Sequence, residues 1–458
     1  MLKNQFGDEA VKTDAESLST FGKDWTTAYQ PDPLAVVLPR DIGQVIALVK
    51  LANEKGFALV PSGGRTGLSG GAVARNQEVV VAFDRMNRIL AFDPVDRQVV
   101  CEPGVITEEL QQFAQEQGLF YPVDFASSGS SQIGGNVATN AGGIKVIRYG
   151  MTRQWVLGLK VVTGTGELLE LNRGLVKNAT GYDFRHLFIG SEGTLGLIVE
   201  VTLALASPPS DPTVLLLAVT DLPSCMEVLK QAQQKFQLSA FEFFSEPALG
   251  HVIAEKGLQR PFETRAPFYA LIEFENDADA RLDDAMTLFE SCLEAGWVLD
   301  GTISQSVGQA ESLWRLREDI SETISRFSPY KNDISVKVSR VPEFLSRVDE
   351  LVSARYPDFE IIWFGHIGDG NVHLNILKPA ELDLQVFQEQ CGKVSKEVFQ
   401  LVKEYGGSVS AEHGVGLLKK AFLTSSRDPA EISYMRAVKK VFDPNGIMNP
   451  GKIFDSET

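Results

Sequence analysis

Pro61-Ser62-Gly63-Gly64-Arg65-Thr66-Gly67-Leu68-Ser69-Gly70-Gly71 follows directly on Phe57-Ala58-Leu59-Val60, an apolar run that reads as a buried strand. Five glycines and several hydroxyl side chains therefore sit where a strand ends. Glycine tolerates positive φ and lets a ligand come close to the backbone, so N–H groups in such a run can converge on a phosphate. The run is not a P-loop, since no Gly-Lys-Ser/Thr closes it, and it lacks the G-x-G-x-x-G spacing of a Rossmann turn. Taken alone, a run of this kind is more often a turn than a ligand loop.

Two further segments change that reading. Gly129-Ser130-Ser131-Gln132-Ile133-Gly134-Gly135-Asn136-Val137-Ala138-Thr139-Asn140-Ala141-Gly142-Gly143 offers small residues, amides and hydroxyls, and Ile189-Gly190-Ser191-Glu192-Gly193-Thr194-Leu195-Gly196 precedes a strand. Three such loops in one domain suit a large dinucleotide cradled mainly by backbone groups. Their order, followed by Asn449-Pro450-Gly451-Lys452 near the C-terminus, resembles the flavoprotein family of vanillyl-alcohol oxidase and p-cresol methylhydroxylase over nearly the whole chain.

The resemblance implies an α+β fold. Its parts would be a two-part FAD-binding domain of the p-cresol methylhydroxylase type, an antiparallel-sheet, ferredoxin-like substrate (cap) domain, and a C-terminal tail returning to the flavin. It also implies that Pro61, Ser62, Gly63, Gly64, Arg65, Thr66 and Gly67 wrap the FAD pyrophosphate. Gly129, Ser130, Gly134, Gly135, Asn136, Thr139, Asn140 and Gly143, with Glu192, Gly193 and Ile198, would line the rest of the cofactor. Asn449 would reach it from the tail. Members that tether flavin covalently often carry histidine in the first loop, where this chain has Arg65, so non-covalent FAD is expected.

Outward from the first loop, strands are expected at 34–38, 79–83, 98–101, 159–163, 168–171 and 195–205, with helices at 42–53 and 107–116. Ser207-Pro208-Pro209-Ser210-Asp211-Pro212 marks a domain boundary. Beyond it, strands at 214–219, 268–274, 333–338, 360–365 and 371–377 are interspersed with helices at 222–235, 278–294, 310–327, 342–354 and 384–404. This suits an antiparallel sheet with helices on one face. The expected domains are a helical segment (1–30), the FAD-binding domain (31–209), a substrate domain with a metal site (210–425), and a segment packing back on the FAD domain (426–458).

The chain has five histidines, and three lie between 366 and 413. Gly368-Asp369-Gly370 is a turn signal between two strand-like pieces, so a hairpin there brings His366 and His373 across from each other. Asn375 shares the strand face of His373. Glu412 supplies a carboxylate from a separate loop. Two imidazoles and one carboxylate leave open positions, the pattern of a catalytic metal site. Zn²⁺ fits best, with Mn²⁺, Co²⁺ or Fe²⁺ possible. His413, adjacent to Glu412, is assigned to proton transfer, for which an imidazole has a near-neutral pKa. His186 and His251 lack such company and read as ordinary histidines.

Trp314-Arg315-Leu316-Arg317-Glu318-Asp319-Ile320-Ser321 and Tyr330-Lys331-Asn332-Asp333-Ile334-Ser335 precede the metal segment. Helical spacing puts Arg317 and Ser321 on one face. An Arg-rich helix face is ordinarily just solvated, but these segments, with Tyr182 and the Phe188–Gly196 stretch, resemble the FAD-linked D-2-hydroxyacid dehydrogenases. The resemblance implies that Arg317, Ser321 and Lys331 hold a distal carboxylate while Asn375 and His413 attend the reacting end. Ser321 stands where threonine is usual, and Lys337 where proline often closes the strand.

The implied reaction is oxidation of a D-2-hydroxyacid by hydride transfer to flavin N5, with D-2-hydroxyglutarate going to 2-oxoglutarate as the favoured case. D-lactate or glycolate dehydrogenase, or an electron-transfer flavin subunit of a larger complex, stays open as an alternative. The resemblance implies electron-transfer flavoprotein or a quinone as acceptor. A homodimer is a fair prior.

Composition agrees. A net charge of −17 argues against nucleic acid and anionic membrane surfaces. No apolar run approaches a membrane span, and no leader is visible. Cys101, Cys225, Cys292 and Cys391 lie far apart and read as reduced thiols of a cytoplasmic protein.

Overall fold

A computed structural model describes residues 1–26, 28–275 and 281–455, so the first positions of the helix expected over 278–294 lie outside the described residues. The chain divides into two units. The first comprises Met1–Gly143, Gly150–Pro208 and Glu412–Thr458, and the second Ile144–Tyr149 and Pro209–Ala411. The boundaries thus fall after Pro208 and Ala411, against the expected 209 and 425.

In the first unit, β1 (Val11–Lys12), β2 (Ala35–Val37), β3 (Leu59–Ser62) and β4 (Val79–Ala82) form a sheet in the order β1-β2-β4-β3. β2, β4 and β3 run parallel. Parallel neighbours need a crossover, and helix Ile42–Lys55 lies in the one between β2 and β3. Asp41 caps it by accepting the Gln44 N–H at 2.9 Å, and Gly56 ends it at φ 72°. Val36, Val60 and Val80 are fully buried, as parallel strands covered on both faces require.

A second, antiparallel sheet has the order β5-β6-β9-β7-β8, built from β5 (Ile89–Asp93), β6 (Gln98–Cys101), β7 (Val156–Thr163), β8 (Leu168–Leu171) and β9 (Gly196–Ala204). The middle of the second glycine run is not a loop but a helix, Ile133–Thr139. Its glycines permit close packing: a Cβ on Gly134 would stand 2.5 Å from the Pro103 side chain.

The C-terminal tail leaves helix Pro429–Phe442 through a turn organised by Asp443. The buried Asp443 carboxylate accepts the N–H groups of Ile447 (3.0 Å) and Met448 (2.9 Å) and pairs with Lys439 (2.8 Å). Met448 then bridges to Leu59 in parallel, and the Asn449 N–H donates to the Leu59 carbonyl at 2.8 Å. The tail therefore joins the strand that feeds the first glycine loop.

The second unit is one seven-stranded sheet, order β13-β10-β12-β11-β15-β16-β14. Its strands are β10 (Pro212–Val219), β11 (Leu238–Ser245), β12 (Phe268–Glu275), β13 (Val298–Ile303), β14 (Tyr330–Ser335), β15 (Ile361–Gly365) and β16 (Asn371–Ile376). All pairs are antiparallel. β11 escapes sequence reading because every residue of it is buried, so it shows no period of two.

The expectation of helices on one face is corrected: both faces are covered. Helices Glu246–Lys256, Val307–Glu318 and Ile320–Ser325 share a core with Val214, Leu216, Phe244, Leu271 and Phe364. On the opposite face Phe236, just after helix Leu222–Lys235, stacks on Phe274 (4.1 Å between centroids), and Trp363 Nε1 donates to Asp349 of helix Val341–Arg355 at 3.0 Å. Ser395 of helix Leu384–Glu404 donates to Asn332 at 3.2 Å on that same face. The helix expected over 310–327 breaks at Asp319. The segment Ile144–Tyr149, just after the second glycine run, joins this unit. There Lys145 ion-pairs with Glu273, while Arg148 and Tyr149 reach Glu275 at 3.4 and 3.2 Å. Among the described residues no helix is long and apolar enough to cross a membrane.

Candidate cofactor and substrate sites

In the first unit, Ser62 Oγ, Gln132 Oε1 and Asn449 Oδ1 are buried without a hydrogen-bond partner. An unsatisfied buried polar atom costs about 1–3 kcal/mol, and these three sit one in the first glycine segment, one in the second and one in the tail. The loops pack closely: a Cβ on Gly64 would come 2.2 Å from the Ser130 carbonyl, and one on Gly193, at φ 71°, 2.4 Å from the Pro61 ring. Gly135 instead faces open space. Orphaned polar atoms around side-chain-free backbone fit the FAD expected there.

Several residues assigned to FAD by resemblance have side chains committed to the protein. The Arg65 guanidinium pairs with Asp84 at 2.8 Å and lies 4.7 Å over the Phe21 ring. Glu192 is buried, which pushes its pKa up, and accepts the N–H groups of Val415 (2.7 Å) and Gly416 (2.8 Å). Asn136 Nδ2 donates to Thr107 at 2.7 Å, Thr139 to the Gly135 carbonyl at 3.0 Å, and Asn140 accepts the Arg153 N–H at 3.0 Å. Ile198 belongs to the core. These side chains hold the cradle together. Asn449 does both: its Nδ2 donates to the Gly71 and Glu192 carbonyls at 2.9 and 2.7 Å while Oδ1 stays unmatched. Gln132 is not among the residues singled out from sequence; its signal is an amide placed directly before the helix Ile133–Thr139.

In the second unit, the β15–β16 hairpin sets Phe364 opposite His373. The rings of His366 and His373 come 5.4 Å apart, nearly perpendicular. Gly370 in the connecting turn has φ 89°, which glycine alone adopts easily. The β14–β16 register sets Lys331 opposite Asn375 and Asp333 opposite His373. With side chains alternating along a strand, one face carries Lys331, Asp333, His373 and Asn375.

Glu242 on β11 adds to this face. Its Oε1 lies 2.8 Å from His366 Nδ1, and its Oε2 lies 2.8 Å from the Arg317 guanidinium, poorly aligned for a hydrogen bond. Arg317 also stacks over Phe364 at 4.8 Å. Lys331 Nζ donates to Ser321 Oγ at 3.2 Å.

The structure therefore brings His366 to His373, Lys331 to Ser321, and Arg317 to Glu242. Arg317 Nε and Asn375 Nδ2 are buried donors with no acceptor. Asp333 is also buried, holding the Asn371 amide at 2.9 Å and lying 3.8 Å from His373 Nδ1. Glu412 and His413 follow directly on Ala411, the last residue of this unit, just beyond the Ser335–Ser408 bridge. Lys337 is exposed past the end of β14, and Tyr182 is almost fully exposed. His251 pairs with Glu360 at 2.9 Å and His186 with Arg153 at 3.0 Å, ordinary partners for both. Glu242 and Asp333 were not assigned from sequence, although a single carboxylate inside Ala240-Phe241-Glu242-Phe243-Phe244 is itself a signal.

Residues 33–172 match the FAD binding domain family, and residues 208–453 match the C-terminal domain of FAD linked oxidases. The chain belongs to the FAD-linked oxidases. This FAD-linked oxidase is 62% identical to the D-2-hydroxyglutarate dehydrogenase of Stutzerimonas stutzeri, over 99% of this chain and 98% of that protein. It is 37% identical to the mitochondrial D-2-hydroxyglutarate dehydrogenase of Arabidopsis thaliana, over 99% of this chain and 80% of that one. Among solved structures, p-cresol methylhydroxylase with substrate bound superimposes with a TM-score of 0.76 at 15% identity, covering 100% of this chain and 96% of the other. The expected p-cresol methylhydroxylase-type fold is thereby found.

Proposed function

We propose that this FAD-linked oxidase converts D-2-hydroxyglutarate to 2-oxoglutarate with the help of a divalent metal. FAD-dependent oxidation of a D-2-hydroxyacid follows from full-length likeness to enzymes named for that substrate. The observation that carries the diacid reading is the pair of buried, unmatched donors, Arg317 Nε and Asn375 Nδ2, on a sheet face that also bears Lys331. Such donors fit carboxylate oxygens.

In this reading Arg317, Ser321 and Lys331 bind the distal carboxylate, and Asn375 orients the reacting end. His366, His373 and Glu412 offer two nitrogens and one oxygen, a donor set suited to Zn²⁺ with positions left for substrate. When bound, FAD supplies the acceptor for the α-hydrogen with its electron pair, and the cation supplies a Lewis acid that acidifies the hydroxyl. His413 takes the hydroxyl proton. Arg65, bound up with Asp84 and Phe21, suits non-covalent FAD. After acid precipitation the yellow colour is expected in the supernatant; colour in the pellet means a covalent tether.

Reoxidation by an electron-transfer flavoprotein or a quinone completes the turnover. Four buried free thiols suit a reducing, cytoplasmic setting. The deciding experiment is a D-2-hydroxyacid panel with an artificial dye, with and without chelator. D-2-hydroxyglutarate is expected to give the highest kcat/KM, and chelator to abolish turnover. Preference for D-lactate, or indifference to chelator, overturns the substrate or the metal assignment respectively.

A further inference from the structure

Glu242 stands at the centre of the polar face. Its side chain is 1% exposed, in a strand buried along its whole length. Burying a carboxylate is costly, and a buried ion pair is weak evidence of a gain in stability. The two oxygens of Glu242 meet two different parts of the face. Oε1 meets His366 Nδ1, and Oε2 meets the Arg317 guanidinium. An imidazole that donates from Nδ1 to a carboxylate carries its lone pair on Nε2, with its ring orientation fixed. A guanidinium drawn to one carboxylate and stacked on Phe364 presents its remaining N–H groups in a set direction, and its Nε–H has no acceptor in the protein.

We propose that Glu242 is a positioning residue that orients both ends of the site at once, turning His366 Nε2 toward a divalent metal and the Arg317 fork toward the distal carboxylate of the substrate. This rests on the metal and diacid reading above. Arg317 is then not a free cation awaiting substrate but a pre-aimed one, and the metal ligand and the clamp share one carboxylate.

The test uses the full chain with FAD bound. Zn²⁺ is titrated against a chromophoric chelator for the parent, Glu242→Gln and His366→Ala. KM is measured for D-2-hydroxyglutarate and D-lactate, with flavin absorbance and thermal melting as controls of folding. Glu242→Gln is near isosteric, but its amide sets a donor against either the imidazole N–H or the guanidinium. The expected result is Zn²⁺ affinity weakened about 10- to 100-fold, together with a KM increase for D-2-hydroxyglutarate that D-lactate does not share. A merely structural residue lowers the melting temperature without moving these two readouts together.

Unchanged affinity and KM in Glu242→Gln, with His366→Ala losing Zn²⁺, overturns the role of Glu242 and leaves the metal reading standing. A parent that binds no Zn²⁺, or a His366→Ala variant that binds it as well as the parent, overturns the metal reading and this inference with it. If Glu242→Gln does not fold, Glu242→Asp keeps the charge but draws it back by one methylene. It is expected to weaken Zn²⁺ binding, and unchanged binding overturns the proposal.

Discussion

His373→Ala is expected, on the metal reading proposed above, to lower kcat for D-2-hydroxyglutarate by about a thousandfold and to abolish binding of a divalent ion, while FAD stays bound. The size follows from the several kcal/mol that a Lewis acid contributes to the barrier, at about 1.4 kcal/mol per tenfold in rate. FAD is expected to stay because the cradle is made by other residues: Ser62, Gln132 and Asn449, whose polar atoms await a partner, all lie outside β16. Elemental analysis, flavin absorbance and steady-state turnover read the three consequences independently. A variant that keeps its metal, or turns over at the parent rate, removes His373 from the ligand set.

Lys331→Met is expected to raise KM for D-2-hydroxyglutarate about 10- to 100-fold and to leave D-lactate nearly unaffected. A hydrogen bond to a charged group is worth about 1.5–3 kcal/mol, and D-lactate has no second carboxylate to feel its loss. Lys331 is the cleaner probe of the clamp. Its hydrogen bond goes to the neutral Ser321 hydroxyl, so removing it strands no buried charge. Arg317→Ala should also spare D-lactate relative to the diacid, but it abandons the buried Glu242 carboxylate. That costs about 3–5 kcal/mol of stability and mixes folding with binding. Equal losses on both substrates for Lys331→Met would rule out a distal-carboxylate clamp at this position.

Much of the functional reading was local and therefore legible. Glycines in a strand-to-loop run need no distant partner to declare close backbone approach, and the order of three such runs with the Asn449 tail carried the resemblance. The histidine hairpin is likewise a short-range object: Gly368-Asp369-Gly370 makes the turn, and strand alternation sets His373 and Asn375 on one face. Boundaries were less legible. The second glycine run is helical because packing against Pro103 favours glycine inside a helix, where propensity alone speaks against it. β11 and β13 were not recognised: β11 is buried throughout, and β13 shows no strict alternation of burial.

From the chain alone came the backbone cradle for a dinucleotide, the antiparallel second domain and the candidate chemistry of two imidazoles, because glycine, histidine and turn residues act through their own backbone and their near neighbours; FAD itself came from the family resemblance. Tertiary structure alone decided that Glu242 joins His366 to Arg317, that Asp333 faces His373, and that Arg65 and Glu192 serve the cradle with their side chains. Those pairings depend on strand register and on contacts between residues far apart in the chain, and a carboxylate within an apolar strand carries no mark of the partner that makes its burial tolerable.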